Sequence, residues 1–282
     1  MNEPYDLYFD NFKIEITLFE IKKLLPHEEV IEEAVNKIVE DMVRKKLVKH
    51  PIIVDKITNV ILDGMHRFEA LKRLGVFSVP VVLIDYINNL VEVQRWIRKF
   101  KVNDSSIVRK VIKNYKLKVI HVSGDYNNTF NSSNSAFFIS KGDIFLIAED
   151  NYIKINDLIK KFDNEVILLN GKIEFITEEE LLKEIKSKEH LKYFYIIPQK
   201  VTKREVIENA KYNILFPAKT TRHIFPAKVY NVNYPIDFLK NDNLEEAKKD
   251  FLAFLKNKKV VKREPPCIIE ERLIDHVCFI FE

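Results

Sequence analysis

The segment that most constrains this chain is Val60-Ile61-Leu62-Asp63-Gly64-Met65-His66-Arg67, where an apolar, β-branched run passes through Asp-Gly into a helical pattern. Val60, Ile61 and Leu62 predict a short buried strand ending at Asp63. Gly64 permits a backbone turn that side chains with a Cβ resist. Residues 65–74 predict a helix, with Gly75 placed to close it in a left-handed conformation. Residues 79–84 are apolar throughout and predict a buried strand. Upstream, residues 13–22 predict a strand that leads into the turn Leu25-Pro26-His27-Glu28. Across residues 29–48, Val30, Ile31, Ala34, Val35, Ile38, Val39, Met42, Val43 and Leu47 recur at helical spacing. Residues 51–57 are β-branched and predict a strand. Together, residues 13–86 predict β-α-β-β-α-β, one compact α+β unit.

The remainder predicts a second, mixed α+β domain, dividing the chain into 1–105 and 106–282. Residues 123–135, rich in Asn and Ser, predict a surface loop, and hairpins are expected near Lys141-Gly142 and at Asn170-Gly171. Thr177-Glu178-Glu179-Glu180 and Thr202-Lys203-Arg204-Glu205 are capping-box patterns, each opening a helix. Residues 191–197 predict a strand, 239–256 a long helix and 276–281 a terminal strand.

Composition narrows the function classes. Lys and Arg number 46 against 42 Asp and Glu, a net charge of +4 spread over mixed-sign segments, so no nucleic-acid partner is expected. No apolar run approaches the roughly 18 residues of a membrane span. The start, MNEPYDLYFD, does not read as a signal peptide, and a cytoplasmic location is expected. Cys267 and Cys278 are too few for a disulfide scaffold or a zinc quartet, and each reads as a small core residue.

Three segments carry chemistry. A helix start offers unpaired N–H donors and a positive dipole end, so Asp63 to Arg67 suits a phosphate. Arg67 has the fork geometry to grip an oxygen, and Asp63 could hold Mg²⁺ or orient a hydroxyl. The plainer reading makes Asp63 an N-cap and Arg67 a surface residue. Glu28 and Glu29 open the first long helix, where carboxylates complement the dipole, or where one of them serves as a general base. Lys219-Thr220-Thr221-Arg222-His223 places two cations, two hydroxyls and an imidazole in five residues between Pro217 and Pro226. As a loop it could converge on an anion, or be a basic surface turn.

Asp63-Gly64-x-His66-Arg67, followed by Ala70-Leu71-x-x-Leu74-Gly75, resembles the ParB/sulfiredoxin-type nucleotide-binding fold. Sulfiredoxins place a cysteine before His-Arg, where this chain has Met65. Leu25-Pro26-His27-Glu28 and Pro217-Ala218-Lys219-Thr220-Thr221-Arg222-His223 resemble two further motifs of the free L-serine kinases, a family that includes the serine kinase of siderophore pathways. Ala218 is an insertion relative to that motif, and Asp41 stands where some relatives carry a small hydroxyl residue. The resemblance implies phosphoryl transfer from ATP or ADP, with Mg²⁺, to the hydroxyl of free L-serine, in a cleft formed with the second domain. The O-phospho-L-serine would feed cysteine or related synthesis. It implies that Glu28 and Asp63 are catalytic. It assigns Asp63, Gly64, Met65, His66, Arg67, Thr220 and Arg222 to nucleotide, and Trp96, Lys219, Thr221 and His223 to serine. The alternatives are a ParB-like, nucleotide-switched DNA-binding protein and a nucleotide-binding regulator without turnover.

Overall fold

The structure, a computed structural model, describes residues 3–101, 113, 119–122, 136–140, 143–147, 152–168 and 170–282. They group into two units that interleave along the chain. Met1–Glu92, Lys203–Leu215 and His223–Glu282 form the first, and Val93–Thr202 with Phe216–Arg222 the second. This differs from the contiguous division at residue 105, because the last third of the chain returns to the first unit. There the helix Leu244–Lys256 packs on the strand Phe12–Glu20.

The first unit contains the expected β-α-β-β-α-β order, with a further two-residue strand, Leu47–Val48, where the helical stripe was expected to continue. Its sheet runs Tyr5–Phe9, Phe12–Glu20, Ser78–Ile84, Ile52–Asp55, Ile61–Asp63. Ile52–Asp55 and Ser78–Ile84 are parallel, and the other neighbours antiparallel. In Phe12–Glu20 the pleat buries Phe12, Ile14, Ile16 and Leu18 on one face. The first strand, Tyr5–Phe9, was not anticipated. The first helix spans Glu32–Lys45 rather than starting at 29, because the chain is still extended at Ile31. Val35 and Met42 are its buried residues, while Val43 is 57% exposed, so the apolar stripe is only partly used.

Near the C-terminus, Val277–Phe281 lies between Ala227–Tyr230 and Val260–Arg263, and Cys267–Ile269 pairs with Arg272–Ile274. The helical pattern read from 239 splits into a 3₁₀ turn, Ile236–Lys240, and the helix Leu244–Lys256. Asn243 caps that helix by accepting from Glu246 N–H at 3.3 Å.

The second unit is built on a sheet in the order Lys172–Ile176, Ile97–Lys101, Phe194–Ile197, Ala136–Ser140, Asp143–Ile147, Val119–Val122, antiparallel throughout. Helix Tyr152–Leu168 packs Ile155, Ile159 and Phe162 against Phe100, Phe194 and Ile196. Leu181, from helix Glu178–Lys186, joins the cluster of Tyr195 and Ile197 on the opposite pleat face. That helix opens with the predicted capping box: Thr177 accepts from Glu180 N–H, and Glu180 from Thr177 N–H. Asn170-Gly171 is not a hairpin turn. It closes helix Tyr152–Leu168, with Asn170 at φ 55° and Gly171 N–H donating to Val166 O. Ala136–Ser140 and Asp143–Ile147 do pair, while their turn and the loop expected over 123–135 lie outside the described residues. Among the described residues no helix is long and apolar enough to cross a membrane.

Candidate active site

In the first unit, strand Ile61–Asp63 runs through Gly64 directly into helix Met65–Arg73. Gly64 has φ +99°, a conformation that residues with a Cβ rarely adopt. A Cβ there would meet Arg67 Nη2 at 2.8 Å, because the guanidinium folds back over the turn. Gly75, at φ +68°, ends the helix as expected. The first N–H groups of the helix have no acceptor within it, so the turn offers anion donors.

Arg67 Nη2 donates to Asp63 Oδ2 and to Pro51 O, each at 3.3 Å. Arg67 Nε is buried and makes no hydrogen bond. A buried guanidinium donor without a partner is costly, and an oxygen anion over Gly64 would satisfy it. Lys228 Nζ lies 3.6 Å from Asp63 Oδ2, adding a second cation beside the turn. Met65 is buried in the core, so what it offers outward is backbone.

His66 is placed differently from a phosphate ligand. Its Nε2 accepts from Ile31 N–H at 3.0 Å and so fixes the chain just before helix Glu32–Lys45. Glu28, 8% exposed, lies in that fixed stretch. Neighbouring His27 is buried, and its Nδ1 donates to Ile61 O at 2.6 Å, tying it to the strand that feeds the Gly64 turn. His27 Nε2 is 3.9 Å from Glu28 Oε1, and burial lowers the imidazole pKa despite that carboxylate. Glu28 and the Asp63–Arg67 turn are thereby held in one frame.

His223 packs edge-on against His27, with ring centres 5.4 Å apart, and shares a 2.7 Å hydrogen bond between Nε2 and the Tyr86 hydroxyl. Burial first, then His27, lowers its pKa well below the ordinary value, so the ring is neutral at neutral pH. Burial raises the Tyr86 phenol, which stays protonated. Tyr86 and Lys228 were missed in the sequence. Tyr86 follows an apolar strand and matches no motif, and Lys228 sits in a strand whose alternation only marks it as outward.

The other named residues belong to the second unit. Trp96 is half-buried between strands Glu92–Arg95 and Ile97–Lys101, and its N–H donates to Thr220 O at 3.3 Å. Lys219 Nζ and Arg222 Cζ lie 5.7 and 5.4 Å from the Trp96 ring centre. Arg222 also donates to Gln94. Lys219 has φ +59°, and the buried Thr220 hydroxyl donates to Pro217 O at 2.8 Å, closing the turn on itself. Thr221 is buried and begins the strand Thr221–Ile224, so the expected loop becomes regular there. Beneath the turn, Arg98 is fully buried and donates to Ala218 O at 2.7 Å and Lys219 O at 3.4 Å. Its Nε donates to both carboxylate oxygens of Asp163, at 3.1 and 2.9 Å. Among the described residues no group of three or more His, Cys, Asp or Glu side chains is arranged to hold a metal ion.

This architecture is the α+β fold of a solved free serine kinase. A glutamate-to-alanine mutant of a free serine kinase in complex with AMP superposes with a TM-score of 0.70 at 22% identity, covering 83% of this chain and 97% of that one. No family model matches the chain. Among curated proteins, an ATP-dependent L-serine kinase of Staphylothermus marinus is 29% identical over 253 residues, spanning 80% of this chain and 92% of that protein. An ADP-dependent L-serine kinase, SerK, of Thermococcus kodakarensis is 27% identical over 222 residues, spanning 76% and 88%. Over most of its length the chain is similar to these nucleotide-dependent L-serine kinases.

Proposed function

We propose that this protein transfers a phosphoryl group from ATP or ADP to the hydroxyl of free L-serine, giving O-phospho-L-serine. The observation that carries the reading is the buried, unpaired Arg67 Nε above the left-handed Gly64 turn, with the buried Glu28 tied through His27 to the strand that feeds that turn. The backbone of Gly64 to Arg67 would bind the phosphates, with Arg67 and Lys228 offsetting their charge. Glu28 accepts the serine hydroxyl proton as that oxygen bonds to phosphorus and the bond to the leaving nucleotide oxygen breaks. Asp63 orients Arg67 and Lys228 around the transferred group. Mg²⁺ would supply further charge neutralisation, held mainly by the phosphates themselves, with Asp63 as the protein carboxylate we assign to it.

We assign the amino acid to Trp96, Lys219, Thr221 and His223, and assist at the phosphates to Thr220 and Arg222. The Thr220 hydroxyl is engaged with Pro217, so its part falls to the backbone it shapes. Neutral His223 offers a hydrogen bond without a charge, which suits the ammonium or hydroxyl of serine better than a cation would.

The test is incubation with L-serine, Mg²⁺ and each nucleotide in turn, read as phosphoserine by mass spectrometry. Product with at least one donor is expected, and none with either overturns the reading. Ethanolamine, which lacks the carboxylate, should react at least ~10²-fold less efficiently, because groups built to pair it are left unpaired. Lys219→Ala should narrow that gap. An unchanged ratio of kcat/KM would remove Lys219 from the carboxylate.

A further inference from the structure

The two cysteines, which the sequence presents only as small core residues, are neighbours. Cys267 opens the hairpin of Cys267–Ile269 and Arg272–Ile274, and Cys278 lies in the central strand Val277–Phe281 of the adjacent sheet. Their sulfurs are 3.2 Å apart. That is about 1 Å beyond a covalent S–S bond. Cys267 is half-buried and reachable from solvent, whereas Cys278 is fully buried. The thiols pack with Ile269, Ile280, Tyr230 and Ile274. Nothing in the phosphoryl-transfer scheme uses them.

We propose that Cys267 and Cys278 form an intramolecular disulfide when the protein meets a disulfide oxidant, cross-linking the hairpin to the central strand. The Cys267 thiolate attacks one sulfur of the oxidant, forming a mixed disulfide and releasing one thiol. Cys278 then gives up its proton and attacks Cys267 Sγ, releasing the second thiol. Two protein thiols are oxidised and one oxidant disulfide is reduced to two thiols. Burial, and the hydrogen bond to Cys267, push the Cys278 thiol up to about 12, while Lys228 and Arg263 on the flanking strands pull it down. The half-buried, solvent-reachable partner therefore reacts first and the buried one closes the bond.

The hairpin is tied to the phosphate turn. At its tip Glu270 pairs with Lys49 and, at 3.3 Å, with His50 Nε2. His50 Nδ1 accepts from Asn231 N–H, and the next residue, Pro51, supplies the carbonyl that accepts from Arg67. A cross-link at the hairpin base fixes the element that holds this segment beneath Arg67.

The test exposes the full chain, under native conditions, to oxidised glutathione, followed by acid quench, denaturation, alkylation and mass spectrometry. The expected product has both thiols protected, a mass lower by two hydrogens and a linked Cys267–Cys278 peptide. Its thermal midpoint should exceed that of the reduced protein. In Cys267→Ser, which leaves the buried position intact, the native protein should form no bond to Cys278. Both thiols remaining open to alkylation, or a glutathione adduct persisting on Cys267 with Cys278 still free, would overturn the proposal.

Discussion

Arg67 in the first unit and Arg98 in the second are both guanidiniums held by one carboxylate and by backbone carbonyls, and they differ in what is left over. Arg98 is fully buried, grips Asp163 through Nε at 3.1 and 2.9 Å, and spends its other nitrogens on Ala218 and Lys219. Arg67 makes two long bonds of 3.3 Å from a single nitrogen and keeps a buried Nε unpaired. A complete set of partners makes a structural arginine, whereas an incomplete one leaves a donor aimed at something absent from the fold. The first belongs to the frame of the Lys219 turn, and the second is the arginine that the proposed reading gives to the nucleotide.

The largest expected effect breaks the complete set. Burial pushes the Asp163 carboxyl upward, and Arg98 opposes that shift. Arg98→Met strands this carboxyl and frees two turn carbonyls, so it should cost about 3–5 kcal/mol by denaturant unfolding. A loss under 1 kcal/mol would mean that Arg98 is not the anchor of the turn.

Acid tests the frame on the other side. Burial first, and then Arg67, lower His50 to about 4, while Glu270 and Lys49 act in opposite senses on it. The unfolded chain takes up a proton near pH 6.5, which the folded chain refuses until about 4. Stability should therefore be flat above pH 6.5 and fall through that window, by on the order of 2–3 kcal/mol from His50. His27, His223 and His276 are also lowered and act in the same direction. His50→Gln should flatten part of the decline in thermal midpoint between pH 6.5 and 4. An identical decline in the variant would remove His50 from it.

Arg67→Ala should give the smallest change in unfolding and a selective change in binding. Nucleotide affinity should weaken by roughly 1.5–3 kcal/mol, the range for a hydrogen bond to a charged group. Unfolding free energy should move by less, since no complete set of partners is broken. Unchanged affinity by calorimetry would return Arg67 to the surface.

The two arginines also show what a sequence can disclose. The place of Arg67 over the turn was legible because Gly64, Arg67 and the strand before them are contiguous, and local backbone geometry decides how they fold. Arg98 was not, because its partners lie 65 residues away at Asp163 and 120 away at Ala218. The order of the first unit was readable from period and turn residues, as was the Thr177 capping box. The division at residue 105 failed because packing, not chain order, returns helix Leu244–Lys256 to strand Phe12–Glu20. Asn170-Gly171 misled because the left-handed residue a hairpin favours is also what a helix end favours. Cys267 and Cys278 gave no signal at all, since packing of the hairpin against the neighbouring sheet brings them together.

The central claim is that Glu28, tied through His27 to the strand that feeds the Gly64 turn, takes the proton of the attacking hydroxyl. The most direct measurement compares phosphoserine formation and nucleotide affinity in wild type, Glu28→Gln and Glu29→Gln. Glu28→Gln should lose at least ~10²-fold in kcat with nucleotide affinity little changed, and Glu29→Gln should stay near wild type. Equal losses in the two variants, or full turnover in Glu28→Gln, would contradict the account.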